Sequence, residues 1–201
     1  MNEFDIRINV DRIIVGFGWD AFARQRSGGL LSGLLESRRR TDVDFDGAAT
    51  LLDEMGQPIA SDPSACCVYY DNLSMYGALI HTGDDQSGAK EGDDETMEID
   101  LSRIPQEVCG IALTMDLFKD RNPALSVGRV QNVYVRLTEQ ESGEEICKYS
   151  FLGDGGSELA FVAGFLLRTP EGWIFRMDGR TIPDVDSTEE LIIALRDLSI
   201  A

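Results

Sequence analysis

The sequence predicts an all-β protein, a β-sandwich of two packed and mostly antiparallel sheets with a short helical insert and a C-terminal helix. Most apolar residues recur with period two, which is typical of strands with one buried face. Turn signals such as "MGQP", "HTGDD" and "PEG" separate these segments at short intervals. The chain has 201 residues, 43% hydrophobic and 27% charged, and this composition suits a globular protein with a sizeable core.

Strand patterns follow one another along most of the chain. Near the N-terminus, Phe4, Ile6 and Ile8 alternate with polar residues, as in a half-buried strand. "CCVYY" and "GIALTM" are continuous apolar runs, which favour strands covered on both faces. The remaining predicted strands are "MEIDL" (97–101), "QNVYVRLT" (131–138), "EEICKYSF" (144–151), "ELAFVAGFLLR" (158–168) and "WIFRM" (173–177).

Two segments have helical spacing instead. "SGGLLSGLLESRRR" (27–40) carries leucines on one face, and its arginines suit a helix C-terminus. Near the end of the chain, Ser187 and Glu190 form a capping box ahead of a leucine and isoleucine stripe. We expect this short helix to pack on the body or on a partner. The predicted organisation is one domain over residues 1–179 and a tail over residues 180–201.

The charge balance excludes some functions. With 36 acidic and 18 basic residues, the net charge of −18 repels nucleic acids and anionic membrane surfaces. No apolar stretch approaches the roughly 20 residues that cross a bilayer, and the start of the chain shows no signal-peptide pattern. Four cysteines without a CxxC pair favour reduced, buried thiols and a cytoplasmic location: Cys66, Cys67, Cys109 and Cys147.

The most acidic segment lies just before one predicted strand. Between Asp84 and Asp100 the sequence holds eight carboxylates and one base, Lys90. Two carboxylates a few ångströms apart repel by about 1 kcal/mol even in water, so the segment either spreads into solvent or shares a cation. Paired acids and interspersed glycines offer the oxygen ligands that Ca²⁺ takes, whereas a single histidine, His81, makes a zinc or copper site improbable.

A second acidic run, "DVDFDGAATLLD" (42–53), almost matches an EF-hand loop. The segment that follows contains Gly56, Pro58 and Pro63, which are incompatible with the helix that an EF-hand requires. We therefore interpret the run as a strand with Phe45 facing inward. The carboxylates of Asp42, Asp44 and Asp46 then share the opposite face of this strand. From there they could approach the first acidic segment.

Several motifs, in this order, resemble TerD-type tellurite-resistance and stress proteins. They are "VGFGWD", "DVDFDGAATLLDEMG", "VYYDNLSMYGALIHTGDDQSGAKEGDDETMEIDLSRIP", "VGRVQNVYVRL", "GEEICKYSF", "ELAFVAGFLLR" and "GWIFRMDG". The resemblance covers roughly residues 4–179, and its block at 69–105 is long and specific. Asp71 departs from the "YNNL" common in the family, the segment at 21–41 is longer than the family pattern, and the tail after Gly179 lacks a clear counterpart.

The resemblance implies a cytoplasmic, calcium-binding β-sandwich that acts as an interaction module in a bacterial stress response. Its expected partners are other proteins of a resistance complex, with self-association as a further option, and no nucleic acid or membrane insertion. The implied Ca²⁺ ligands are Asp42, Asp44, Asp71, Asn72, Asp84, Asp85, Gly88, Asp93, Asp94 and Glu95, and Asp20 has a ligand or a structural role. We expect no enzyme activity, and the alternative is a metal-dependent hydrolase that uses the same carboxylates.

Overall fold

Two antiparallel sheets face each other across a shared apolar core in the computed structural model, which describes residues 5–20, 44–82, 92–117, 130–151 and 158–198. The predicted helix at 27–40 lies outside these residues. Sheet A has seven strands in the order β1 (Asp5–Ile8), β12 (Gly172–Met177), β11 (Ala160–Thr169), β8 (Gly110–Leu117), β3 (Phe45–Leu52) and β4 (Cys67–Val68), with β13 (Thr181–Ile182) beside β11. Sheet B has six strands in the order β10 (Glu145–Phe151), β9 (Val133–Glu139), β2 (Arg12–Gly18), β7 (Glu95–Asp100), β6 (Leu79–His81) and β5 (Ser74–Met75).

The main core lies between the sheets. Because side chains alternate along a strand, every second residue of each central strand points into this layer. Phe45, Leu113 and Phe161 enter from sheet A, and Val15 and Met97 enter from sheet B; each is at most 1% exposed. The period-two pattern therefore predicted the class of fold and the inward faces of Phe45 and Met97.

The outer face of sheet A is also covered. Apolar residues there, including Leu52, Val162 and Phe165, pack against Ile182 and Leu191 from the end of the chain. The helix α1 (Thr188–Ala194) and β13 therefore belong to the same packed body as the sandwich. The sequence predicted that this helix packs either on the body of the protein or on a partner. The structure shows that the helix packs on the body.

Of two strands predicted from continuous apolar runs, one agrees with the structure and the other is much shorter than predicted. "GIALTM" is fully buried within β8, as expected for a strand covered on both faces. "CCVYY" forms only the two-residue edge strand β4, and Tyr70 beyond it is 42% exposed. The chain turns there, because Tyr69 and Asn72 exchange backbone hydrogen bonds of 3.1 and 3.0 Å. Three short 3-10 turns complete the described elements: Pro63–Ala65, Leu101–Arg103 and Leu195–Asp197.

Candidate functional site

The acidic segments leave the sandwich at one end, which we call the acidic end and define by Asp44, His81, Asp94 and Glu95. Strand β2 finishes and β7 begins there, since Phe17 is in register with Glu95. Of the predicted ligands, the structure describes Asp44, Asp71, Asn72, Asp93, Asp94 and Glu95, whereas Asp42, Asp84, Asp85 and Gly88 lie outside the described residues.

Glu95 occupies a different place from the one expected. The sequence put it in an acidic loop, but it is the first residue of β7, and its side chain points between the sheets with 1% exposure. One carboxylate oxygen, Oε2, accepts a hydrogen bond of 2.8 Å from the backbone N–H of Gly47 in β3. The same oxygen lies 3.6 Å from Nε2 of His81, whose side chain is also fully buried. Glu95 thus joins the two sheets at the acidic end.

Asp94 is attached to the end of β2. Its backbone N–H donates to the carbonyl of Phe17 at 2.8 Å, and its Oδ2 accepts from the backbone N–H of Trp19 at 2.8 Å. The residue is 5% exposed. Trp19 in turn packs edge-on against Phe45, with ring centroids 5.5 Å apart. The buried carboxylate of Asp94 is therefore fixed where the chain enters β7.

Asp93 lies on the outer face of sheet B. Its Oδ2 accepts a hydrogen bond of 2.6 Å from Nη2 of Arg136, and its Oδ1 accepts one of 2.9 Å from the hydroxyl of Tyr134. Burial, followed by this hydrogen bond to Asp93, raises the pKa of Tyr134, and the hydrogen bond to Asp93 also raises the pKa of Arg136. Three consecutive predicted ligands therefore point in different directions.

Asp71 and Asn72 lie in the turn after β4. The side-chain N–H groups of Asn72 donate to the carbonyls of Cys67 at 2.6 Å and Ser64 at 3.0 Å, so this amide holds the turn together. Asp71 is exposed. The backbone N–H of His81 donates to the carbonyl of Leu73 at 2.8 Å, which places the turn beside the acidic end.

Asp116 is a buried carboxylate that the sequence analysis missed. It lies in β8 directly across from Asp46 of β3, and Thr188 of α1 donates a hydrogen bond of 2.9 Å to its Oδ1. Burial, followed by the nearby Asp46, raises the pKa of Asp116 well above its usual range. The available signal was the polar pair Thr114 and Asp116, two residues apart in an otherwise apolar strand.

The oxygen-rich donor set agrees in chemistry with the preference of Ca²⁺ for carboxylates and carbonyls. Among the described ranges, no three histidine, cysteine, aspartate or glutamate side chains converge as metal ligands. The cysteines do not change this picture. All four are free, and burial raises the pKa of Cys147 to about 11, so at neutral pH it is a thiol and not the softer thiolate ligand.

Comparisons with known proteins agree on one family. A family model described as the TerD domain matches residues 5–184. Tellurium resistance protein TerD of Serratia marcescens is 31% identical over 173 residues, which cover 86% of this chain and 81% of that protein. General stress protein 16U of Bacillus subtilis is 29% identical over 170 residues, which cover 85% and 80%.

A solved structure shows the same fold. The crystal structure of a homologue of telluride resistance protein from Streptomyces coelicolor superposes with a TM-score of 0.63 at 19% identity, over 92% of this chain and 96% of that one. In the described part of the chain, no helix has the length and apolar character needed to span a bilayer. The family match over residues 5–184, together with the sandwich and the order of its motifs, identifies the chain as a member of the TerD domain family.

Proposed function

We propose that the chain is a calcium-binding interaction module of a bacterial stress response of the tellurium-resistance type, without catalytic activity of its own. Relatives that share about four fifths of their length with it are named for tellurium resistance and general stress. These names supply the biological setting, and the acidic end supplies the chemistry.

One observation carries the calcium assignment. The two acidic segments enter the described sandwich at the same end, where Asp44 is 6% exposed and Asp94 is 5% exposed. Buried carboxylates are costly unless positive charge or hydrogen-bond donors accompany them. Ca²⁺ takes six to eight oxygen ligands, and oxygens beyond those of Asp44 and Asp94 would come from Asp42, Asp84, Asp85 and the carbonyl of Gly88. The bound ion supplies the positive charge that lets these carboxylates lie together.

An apolar surface beside the acidic end supports a role in docking. Leu73 and Ile80 are 51% and 42% exposed, and they lie close together because the carbonyl of Leu73 accepts a hydrogen bond from the backbone N–H of His81, the residue after Ile80. Ion binding at the adjacent acidic end would favour one arrangement of this surface. The proposed partners are other proteins of a resistance complex or a second copy of the chain.

The proposed location is the cytoplasm. All four cysteines are free, and a chain with four unpaired thiols suits a reducing compartment.

Thermal unfolding with EDTA and with excess Ca²⁺ tests the calcium site. An ion that binds only the folded chain with micromolar affinity adds about 4 kcal/mol at about 1 mM free Ca²⁺. For a domain of this size, we expect Tm to rise by roughly 8–16 °C. Sedimentation in the same two buffers shows whether self-association follows the ion.

Two aspartate variants sharpen this experiment. Asp94→Asn removes a charge at the acidic end, whereas Asp11→Asn removes one from an exposed side chain elsewhere. We expect Asp94→Asn to reduce the Ca²⁺-dependent rise and Asp11→Asn to retain it. Equal Tm values of the wild type in both buffers would contradict the proposal. Ca²⁺-, Mg²⁺- or Mn²⁺-dependent phosphoester turnover that Asp94→Asn abolishes would favour the hydrolase alternative.

A further inference from the structure

The outer face of sheet B carries a half-buried ion pair, which lies directly against the backbone of β2. Gly16 and Gly18 face outward on this strand. A Cβ on Gly16 would lie 2.1 Å from Oδ2 of Asp93, and one on Gly18 would lie 2.2 Å from Cζ of Tyr134. Both glycines therefore leave space that these two side chains fill, and Asp93 reaches across β2 toward β9.

Two residues of β9 hold this carboxylate. Arg136 binds Oδ2 at 2.6 Å, and the Tyr134 hydroxyl binds Oδ1 at 2.9 Å. The side chain of Asp93 is 10% exposed and that of Arg136 is 33% exposed, so the ion pair is partly shielded from water. A second cation is close, since Nζ of Lys148 lies 3.5 Å from the centroid of the Tyr134 ring. We call Asp93, Tyr134 and Arg136 the clamp.

The clamp supplies Asp93 with the positive charge that a metal would otherwise provide. A cation and a phenol already bind one carboxylate oxygen each, on the outer face of the sheet. Asp94, the next residue, is bound to the end of β2 through Trp19 and Phe17. Asp93 is thus fixed to β9 and Asp94 to the end of β2, and together they determine where the acidic segment joins β7.

We propose that Asp93 is not a Ca²⁺ ligand but a positioning residue, which Arg136 and Tyr134 hold so that Asp94 is fixed for ion binding. This inference rests on the proposed calcium site and revises the ligand set that the sequence predicted. Without the clamp, the segment before Asp94 loses an attachment that has to be re-established when the ion binds. Ordering about one residue more costs enough entropy to raise the Kd for Ca²⁺ roughly 5–30-fold.

Arg136→Gln separates the two roles of Asp93. If Arg136 positions Asp93, the variant binds Ca²⁺ more weakly than the wild type. If Asp93 is a ligand, removing Arg136 releases its carboxylate, and binding stays equal or becomes tighter. Calorimetric titration of the full chain with CaCl₂ gives the Kd and the number of ions. Arg12→Gln removes the same charge from the exposed pair with Asp100 and serves as the matched control.

A double-mutant cycle completes the test. Asp93→Asn, Arg136→Gln and the double variant should raise the Kd by the same factor and keep the ion count, because each removes the same clamp. Gly16→Ala should act likewise, since its Cβ displaces the Asp93 carboxylate without removing a charge. The Tm in EDTA, measured for every variant, separates a change in binding from a loss of the fold.

Each result has a defined meaning. Fewer bound ions in Asp93→Asn, or unweakened binding in Arg136→Gln, would overturn the clamp and leave the calcium site in place. Lower Tm values in EDTA with an unchanged Kd would also overturn it, because the ion pair would then only stabilise the fold. A wild type that binds no Ca²⁺ would overturn both proposals.

Discussion

Glu95 shows at the level of one residue how a carboxylate stabilises contact between two sheets. Its Oε2 is the acceptor for the Gly47 N–H, and the side chain is buried at the point where β3 and β7 meet. A buried N–H that loses its acceptor costs the full desolvation of that group. The same carboxylate that suggested a metal ligand therefore also has a structural role.

Replacing Glu95 tests this role. We expect Glu95→Ala to lower the free energy of unfolding by about 1–3 kcal/mol, because it leaves the Gly47 N–H without its acceptor. Glu95→Gln retains an oxygen in the same place and should cost less. Urea denaturation in EDTA measures both, with Glu98→Ala on the half-exposed side of β7 as the control. Equal costs for Gln and Ala would show that the Gly47 hydrogen bond contributes nothing.

Asp116 makes a pH-dependent contribution to stability. The carboxyl ionises near its ordinary pKa of 3.8 in the unfolded chain, whereas burial and Asp46 raise its pKa in the folded protein. The folded chain thus binds more protons between those two values. The stability that this residue contributes is complete below pH 3.8 and is lost as pH rises through the folded pKa.

Asp116→Asn removes this titration and keeps an oxygen that accepts from Thr188. We expect the variant to gain stability relative to the wild type as pH increases above 3.8. Urea midpoints at a series of pH values, compared with those of Asp11→Asn, measure the change. A stability difference that is constant with pH would show that Asp116 does not titrate differently in the folded and unfolded states.

The direction of each candidate side chain was harder to predict than its identity. The visible alternation in the sequence starts at Met97, but β7 begins two residues earlier, at Glu95. One residue of register moves a side chain to the other face of a sheet. That boundary places Asp93 on the outer face of sheet B, Asp94 at the end of the strand and Glu95 between the sheets. Asp116 was missed because its partner Asp46 is distant in sequence.

At the level of elements, the C-terminal helix is the clearest success of the sequence pattern. The hydroxyl of Ser187 accepts from the N–H of Glu190 at 3.2 Å, as the capping box predicts. The Glu190 carboxylate differs in detail, since it accepts from the N–H of Asp186 at 2.9 Å. The helix is only seven residues long, so its stability comes mainly from packing on sheet A.

Leu191→Ala tests that packing. Leu191 is fully buried against the outer face of sheet A, so its truncation should cost about 2–5 kcal/mol. Ile193, in the same helix, is 50% exposed, and Ile193→Ala should change stability by at most about 0.5 kcal/mol. Urea denaturation compares the two variants. Equal effects would mean that the helix does not pack as described.

Strand β11 shows why the sequence pattern did not predict which of its residues face each core. Its register with β8 shifts between Val162 and Gly164, so one extra residue enters the strand. Ala163 and Leu166 then face the inner core, whereas Phe165 faces the outer one. A simple alternation could not predict both cores from "AFVAGFLL". The sequence showed this strand as an apolar run, but assigning its residues to the two faces required the positions of the neighbouring strands.

At the level of the whole molecule, the two sheets differ in what covers them. The end of the chain packs on the outer face of sheet A, whereas the outer face of sheet B carries the polar clamp. The net charge of −18 makes cations the natural small ligands of the molecule. The sequence predicted the sandwich and its acidic character because both depend on composition and period. It did not predict which carboxylates already have Arg136 or Gly47 as partners.

The pairing of β1 with β12 has a consequence for the time course of biosynthesis. Asp5 binds Arg176, 171 positions later, so the two strands that meet come from opposite ends of the chain. A ribosome adds about 5–20 residues per second, so β1 waits roughly 10–30 s for its neighbour. During that interval the nascent chain has an unpaired edge that invites aggregation. Chaperone protection is most valuable before translation reaches residue 177.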